Sequence, residues 1–585
     1  MKSSFYADMH CHPQGRSFNY FRNNPSAITK ASQNLPKQWS PWVLPDADGS
    51  IENWSKQLKG KRPGHFSQAD FNRLAAGNVR LVFASLYPLE KGFVTGKVST
   101  GFGQLLHALL KPFSFLSENN TLRALVQSLQ MRYPAKRIRF FQGKTSEPFN
   151  YWEETKAEYY FLAAHDGVQQ EQTFKYFSDT CNSDRHANTT HQIHAFQLNH
   201  RYEIVQSKEH LETLISDIEK TNNCIAVVLT IEGGHVFSTD SSDKLLSWPA
   251  IHKRLLELKN WGRKISETDA EKKDLNNIHA LKEWMDQATG TYLHNPIFIL
   301  NLSHHFNNYL ACHARSLPDK LRLLMDQSEG MFEEDAISKT GRQVIECCLN
   351  IKCVKNGNDI LIEEGFQGNR ILIDVKHMSP AARAIYYRDY IIPHNTKHPE
   401  NKIPVVATHA GVVGPGYETL ETLKEQDLNC LIKDVIKQDV TKFNFTSWGI
   451  NMCLEDIKVI VQSGGIIALS LDQRILGNPG GKSGTEDFAR NLQYIISEAK
   501  QHGFVSEEIN NSIWDSVAIA SDFDGFIDPI DECPSAICFE QFHDLLKKHL
   551  SKEAETFFEP YTIDICLEKL FGLNTYNFTR NYFPR

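Results

Sequence analysis

Eight short runs dominated by Val, Ile, Leu and Ala are spread along the chain, and most end in polar residues. They lie at 4–12 (SFYADMHCH), 78–87, 224–234, 296–305, 370–377, 403–410, 465–472 and 516–525. Most are continuously apolar rather than alternating, which predicts parallel strands covered on both faces. The segments between them carry helical periodicity. In 454–464, Leu454, Ile457, Ile460 and Val461 recur at helical spacing before Ser463-Gly464 breaks the pattern. The stretch 485–503 reads as another helix, with Gly503 as its stop after a basic last turn. Eight strands alternating with helices predict an α/β fold, a TIM-type (β/α)8 barrel. A doubly wound open sheet would use the same elements in another order.

The strands are unevenly spaced. Some 135 residues separate the second run from the third, far more than one crossover helix requires. The chain therefore reads as one barrel over 1–585 with large, mainly helical insertions, one at 88–220 between strands two and three and one at 306–369 after strand four. Within the first, 102–116, 121–133 and 148–167 read as aromatic-rich amphipathic helices. Loops that follow strands sit on the catalytic face of such a barrel, so these insertions would narrow the site or form an oligomer interface.

Composition excludes several classes. Of 585 residues, 41% are hydrophobic and 23% charged, which argues against a disordered or fibrous chain. Net charge is -7, which gives no electrostatic reason to expect nucleic acid or an anionic membrane as partner. No apolar run approaches the ~20 residues of a membrane-spanning helix. The start, MKSSFYADMHCHPQGR, lacks the pattern of a secretory signal, and a cytoplasmic protein is expected. The 12 Cys form no CxxC pair and read as free thiols in a reducing compartment.

The polar ends of the runs carry the candidate chemistry. The first ends in His10-Cys11-His12, the third in Glu232, the fifth in His377, the sixth in His409 and the eighth in Asp522. Residues i and i+2 share a strand face, so His10 and His12 point together. A single histidine is more often packed than ligating. Five ligand-type strand ends brought to one rim are a different matter, because imidazoles and carboxylates of this kind suit a cation such as Zn²⁺. A carboxylate at Glu232 could bridge two cations, whose joint effect is to acidify a shared water and polarise a carbonyl. Asp522 would accept the proton. The stretch 475–484 (ILGNPGGKSG) tempts a phosphate-loop reading, but the frame needs a glycine at Leu476, and it reads as a turn.

Five motifs stand in order: Asp8-Met9-His10-Cys11-His12-Pro13, Ile231-Glu232-Gly233-Gly234-His235, Ile373-Asp374-Val375-Lys376-His377, Val406-Ala407-Thr408-His409 and Ser521-Asp522-Phe523-Asp524-Gly525. Together they resemble the membrane (renal) dipeptidase family, peptidase family M19, of the metal-dependent amidohydrolase superfamily. The C-terminal LEKLFGLNTYNFTRNYF resembles that family's closing helix, and the insertions lie outside the likeness. The resemblance implies two divalent metal ions, zinc by preference, in an amidohydrolase-type barrel. His10 and His12 would bind the first metal, His377 and His409 the second, and Glu232 both. Asp522 would be the catalytic carboxylate. His304, in Asn301-Leu302-Ser303-His304, would stabilise the tetrahedral intermediate, with its neighbour His305 facing away. From the residues themselves, Asp8 is placed to orient the HxH strand, and His235, three residues after Glu232, either orients a ligand or packs. Lys376 would face the helical layer, and Asp524 and Gly525 would shape the eighth loop.

Two departures bear on function. The family's first motif reads HxD where this chain has HxH, so the first metal loses one anionic ligand. The family's carboxylate-binding Arg aligns with Ile450, which cannot make that contact, leaving Arg474 or Lys482 as substitutes. The reading is thus a binuclear zinc hydrolase (a metallodipeptidase-like enzyme) that cleaves a small amide or peptide by metal-activated hydroxide, with a homodimer as the possible assembly. The alternatives are a deaminase or lactonase on the same site, or a non-catalytic metal-binding barrel.

Overall fold

The computed structural model describes residues 5–22, 40–42, 67–95, 133, 135–146, 148–178, 192–238, 244–259, 295–317, 327, 329–330, 335–356, 359–366, 368–414, 445–446, 448–477, 483–505 and 512–584. The expected helix at 102–116, nearly all of that at 121–133, and Lys482 lie outside these residues.

All eight expected strands are present: β1 (Tyr6–Cys11), β2 (Val79–Leu86), β3 (Cys224–Glu232), β4 (Ile299–Asn301), β5 (Leu372–Asp374), β6 (Val406–Ala410), β7 (Ile466–Leu469) and β8 (Val517–Ile519). Each pairs in parallel with the next in chain order. Beyond the end of β8 the chain meets β1 again: Asp522 N–H donates to His10 O at 2.8 Å and His12 N–H to Phe523 O at 3.0 Å. This closure makes a barrel and rules out the open doubly wound sheet.

The interior is a single apolar layer to which every strand contributes. Ala7, Met9, Leu81, Phe83, Ala226, Val228, Ile299, Leu372, Val406, Ile466, Ala468 and Ala518 pack together and are essentially inaccessible. Phe578 and Phe583 of the C-terminal segment join the same cluster, with Phe583 5.1 Å from Phe298, ring centre to ring centre. Most helices pack outside the strands in a larger second cluster, whereas Lys208–Thr221 packs its Leu211, Leu214, Ile215 and Ile218 in the first.

The expected helices that fall within the described residues form at nearly the expected bounds. Leu454–Gln462 starts where Cys453 N–H donates to Asp456 Oδ2 at 2.9 Å and ends before Gly464, whose φ is 74°. Gly484–Gln501 is capped by Ser483, and Tyr151–Ala163 by Asn150, whose Oδ1 accepts from Glu153 N–H at 3.1 Å. The span 88–220 also holds an antiparallel hairpin, Gln170–Ser178 with Gln192–Ile204, which the pattern of apolar runs did not predict. Its second strand adds to the N-terminal half of β3, on the edge whose C-terminal half carries β4. Among the described residues no helix is long and apolar enough to cross a membrane.

One buried ion pair fixes the β5–β6 side of the barrel. Arg383 donates Nε and Nη2 to the two oxygens of Asp456, both at 2.9 Å, and Tyr387 OH adds a third bond at 3.0 Å. Arg383→Met should leave the Asp456 carboxylate buried without its cation, at a cost of about 3–5 kcal/mol. Denaturant unfolding should show a correspondingly lower midpoint, whereas an unchanged midpoint would show the pair to be dispensable.

Candidate active site

Seven of the predicted site residues meet at the C-terminal end of the barrel, around one carboxylate. Glu232 Oε1 lies 3.3 Å from His10 Nε2, 3.3 Å from His304 Nε2, 3.5 Å from His377 Nε2 and 3.6 Å from His409 Nε2. Its Oε2 lies 3.2 Å from His12 Nε2, and Asp522 Oδ1 is 3.9 Å from both His10 and His12 Nε2. The donor atoms fall into two groups that share Glu232: His10, His12, Glu232 and Asp522 in one, and Glu232, His377 and His409 in the other.

Local backbone geometry explains how these side chains converge. Glu232 needs nothing special, since it follows Ala226 and Val228 inward by simple alternation. His10 does need something: Ala7 and Met9 face the interior, so unbroken alternation would send Cys11 to the centre. A register shift between Asp8 and Cys11 resets the parity, leaving Cys11 in the outer core and His10 and His12 inside. His377, His409 and Asp522 take φ values of 67°, 34° and 61°, a left-handed region that non-glycine residues rarely occupy. Gly525 leaves the room Asp522 requires, because a Cβ there would stand 2.1 Å from Asp522 Oδ1.

Buried carboxylates brace the strands that carry the candidate ligands. Asp8 accepts from His10 N–H at 3.2 Å, from Ser521 N–H at 2.8 Å and from Ser521 Oγ at 2.5 Å, tying β1 to the residues after β8. Asp374 accepts from Lys376 N–H at 2.9 Å and Thr408 N–H at 3.2 Å, tying the end of β5 to β6. Asp524 accepts from Ser67 Oγ and the Gln68 and Ala69 amides and forms an ion pair with Arg16, so it anchors the eighth loop.

Glu90, in the loop after β2, has a role the sequence reading missed. It is 3% exposed and accepts from His304 Nδ1 at 2.5 Å, from Phe306 N–H at 3.1 Å and from His305 N–H at 3.3 Å. His235 stands behind it, with Nδ1 4.0 Å from Glu90 and Nε2 2.8 Å from Pro88 O. His235 thus contacts Glu90 rather than a ligand. Burial alone would lower the His304 imidazole, but Glu232 and Glu90 raise it to about 10. Burial would likewise raise Glu90, but His304 and then His235 hold it at about 2. His304 thus stands between two carboxylates, Glu90 at Nδ1 and Glu232 at Nε2, which favour its charged form. Glu90→Gln should lower kcat/KM about 10- to 100-fold with metal content unchanged, since it loosens His304 without touching the ligand pairs. Equal loss of metal would assign Glu90 a ligand-holding role instead.

Two expectations about direction are corrected. Lys376 does not face the helical layer: it lines the central cavity together with His377. Parity counted from Leu372 through Asp374 leads inward at Lys376, and His377 joins it through its left-handed backbone. His305 does not turn away either. It lines the cavity beside His304, because β4 ends at Asn301 and strand alternation stops there. Its Nδ1 is 2.5 Å from Ser316 Oγ, and with His304 and His377 it forms a third group of close donors.

The donor set suits divalent cations. His10 Nε2 is buried without a hydrogen bond, and His377 and His409 present Nε2 atoms 2.9 Å apart. Burial and then neighbouring positive charge hold His377 at about 3 and His409 well below its usual range, so both are neutral with a lone pair to give. Asp522 is pushed up to about 7 by burial and by Glu232. The cavity they line is about 30 Å³, room for two or so water-sized groups, and Ile450, Arg474, Tyr87 and Phe526 also face it. Helix Tyr151–Ala163 of the 88–220 span packs over the loops after β1 and β2. Glu158 accepts there from Gln14 Nε2 at 3.0 Å and Tyr87 N–H at 2.9 Å.

No protein-family model and no curated protein matches the chain significantly. Among solved structures it is similar to the dipeptidase AC, a metallopeptidase of family M19, at 12% identity and TM-score 0.42, covering 99% of this chain and 98% of that one. It is similar to a metallopeptidase from Rhodobacter sphaeroides liganded with a phosphinate mimic of L-Ala-D-Ala, at 11% identity and TM-score 0.42, covering 99% of both chains. The probable dipeptidase PvdM from Pseudomonas aeruginosa follows at 10% identity and TM-score 0.35, covering 87% of this chain and 88% of that one. The barrel itself rests on the strand pairing described above.

Proposed function

We propose that this chain is a metal-dependent hydrolase of dipeptidase type that cleaves an amide or peptide bond in a small substrate. Its two divalent cations, zinc by preference for so imidazole-rich a set, would be held by His10, His12, Glu232, His377 and His409. The observation that carries this reading is the sharing of Glu232 between two groups of buried donors, with Asp522 at their edge. Bound there, the cations would acidify a water and polarise a substrate carbonyl.

The chain's own residues account for the remaining steps. Asp522 accepts the attacking water's proton at Oδ1 and returns it to the leaving nitrogen, a task suited to a carboxyl near neutrality. His304, held from behind by Glu90, presents an N–H at Nε2 toward the oxygen on which negative charge develops. Tyr87, Phe526 and Ile450 add largely apolar walls to the cavity.

The test is turnover by zinc-loaded protein on dipeptides and N-acyl amino acids, with lactones and amino-purines as comparators. Amide hydrolysis that a chelator abolishes and zinc restores is the expected result. Turnover confined to lactones or ring amines would replace the amide assignment. An intact, metal-loaded protein inert on every class would reject the enzyme reading.

A further inference from the structure

Two cationic side chains at the active-site cavity keep donor atoms that neither the fold nor the mechanism above uses. Lys376 is fully buried, and its Nζ has no hydrogen-bond partner. Nearby carboxylates do not serve it. Asp374 is taken by backbone N–H groups of Lys376 and Thr408 and by the Thr408 hydroxyl. Asp472 is taken by Arg474, which donates Nε at 3.0 and 3.1 Å and Nη2 at 2.6 Å. Arg474 is itself 7% exposed. A bond from its Nη2 to Phe526 O completes the clamp and leaves one donor, Nη1, buried and without a partner. Both side chains line the same cavity as Glu232, His377, His409 and Asp522. Asp472 and Asp522 act electrostatically on both.

Buried ammonium and guanidinium N–H groups are costly to leave unpaired, and native structures keep such groups mainly where something binds them. The Asp472 clamp fixes the guanidinium in advance, as a recognition group requires. We infer that Lys376 Nζ and Arg474 Nη1 form a recognition site for a small oxyanion, a carboxylate or phosphonate-type group carried by the substrate beside the scissile bond. Ile450 and Ile475 supply an apolar wall to the same cavity. This deepens the proposed function by naming the charge of the substrate, and it rests on that reading for the identity of the reaction.

The test is calorimetric binding to the zinc-loaded protein of N-acetylglycine, its neutral counterpart N-acetylglycinamide, and N-acetylaminomethylphosphonate. The proteins are wild type, Lys376→Met, Arg474→Gln and the double variant. Wild type should bind at least one acid about 10- to 100-fold more tightly than the amide, as expected for charge-assisted hydrogen bonds. The better acid identifies the group. The preference should fall in each single variant and approach unity in the double variant, with zinc content unchanged. Equal binding of acids and amide by wild type, or no binding of either acid, would overturn the inference. So would a preference that survives in the double variant, since the metal centre would then be its source. Thermal unfolding of metal-free Lys376→Met adds a second readout. A binding lysine predicts an equal or higher midpoint, because an unpaired charge has gone, and a structural lysine predicts a lower one. Turnover is not needed for any arm, so acid preference without amide hydrolysis would reject the proposed reaction and leave this site standing.

Discussion

Asp522→Asn should reduce kcat about 10²- to 10⁴-fold on the best amide substrate while metal content stays at the wild-type value. The substitution keeps the shape of the side chain and the tight turn that Gly525 permits, and removes only the ability to take up and return a proton. Asp522 Oδ1 is 3.9 Å from both His10 and His12, farther than Glu232 is from any ligand nitrogen. Loss of metal in this variant would make Asp522 principally a ligand, and a rate within tenfold of wild type would remove it from the reaction.

Glu232→Ala should have the larger effect, reducing turnover to background. Every candidate ligand nitrogen lies within 3.6 Å of one of its two oxygens. Without that carboxylate each remaining donor group would hold its cation by imidazoles with little or no negative charge. Supplying excess zinc should not restore activity, because the missing group serves both positions. Recovery at high zinc would mean that Glu232 tunes affinity and does not join the two sites.

The strands were legible because apolar continuity and polar ends are local features. All eight runs became strands, and shortened where their C-terminal residues turn into the site, as at His377 and Asp522. The candidate ligand types were legible for the same reason, but the backbone irregularities that aim some of the side chains were not. The irregularity that turns His10 inward depends on how β1 pairs with β2, and no residue type announces it. Lys376 was misplaced because alternation was counted back from His377, which owes its direction to a left-handed backbone. Glu90 carried no signal at all: it is one acid in a loop, 214 residues from the His304 it grips. The hairpin at 170–204 escaped notice because its strands are largely polar and join the sheet only at the edge of β3.

The central claim is that one carboxylate joins two metal positions, and metal content per chain tests it most directly. Elemental analysis of wild type and Glu232→Ala, both purified without added metal, should give about two zinc ions per wild-type chain and one or fewer in the variant. One ion in both proteins would contradict the shared site and point to mononuclear chemistry. No metal in wild type, even after incubation with zinc, would contradict the metal centre altogether.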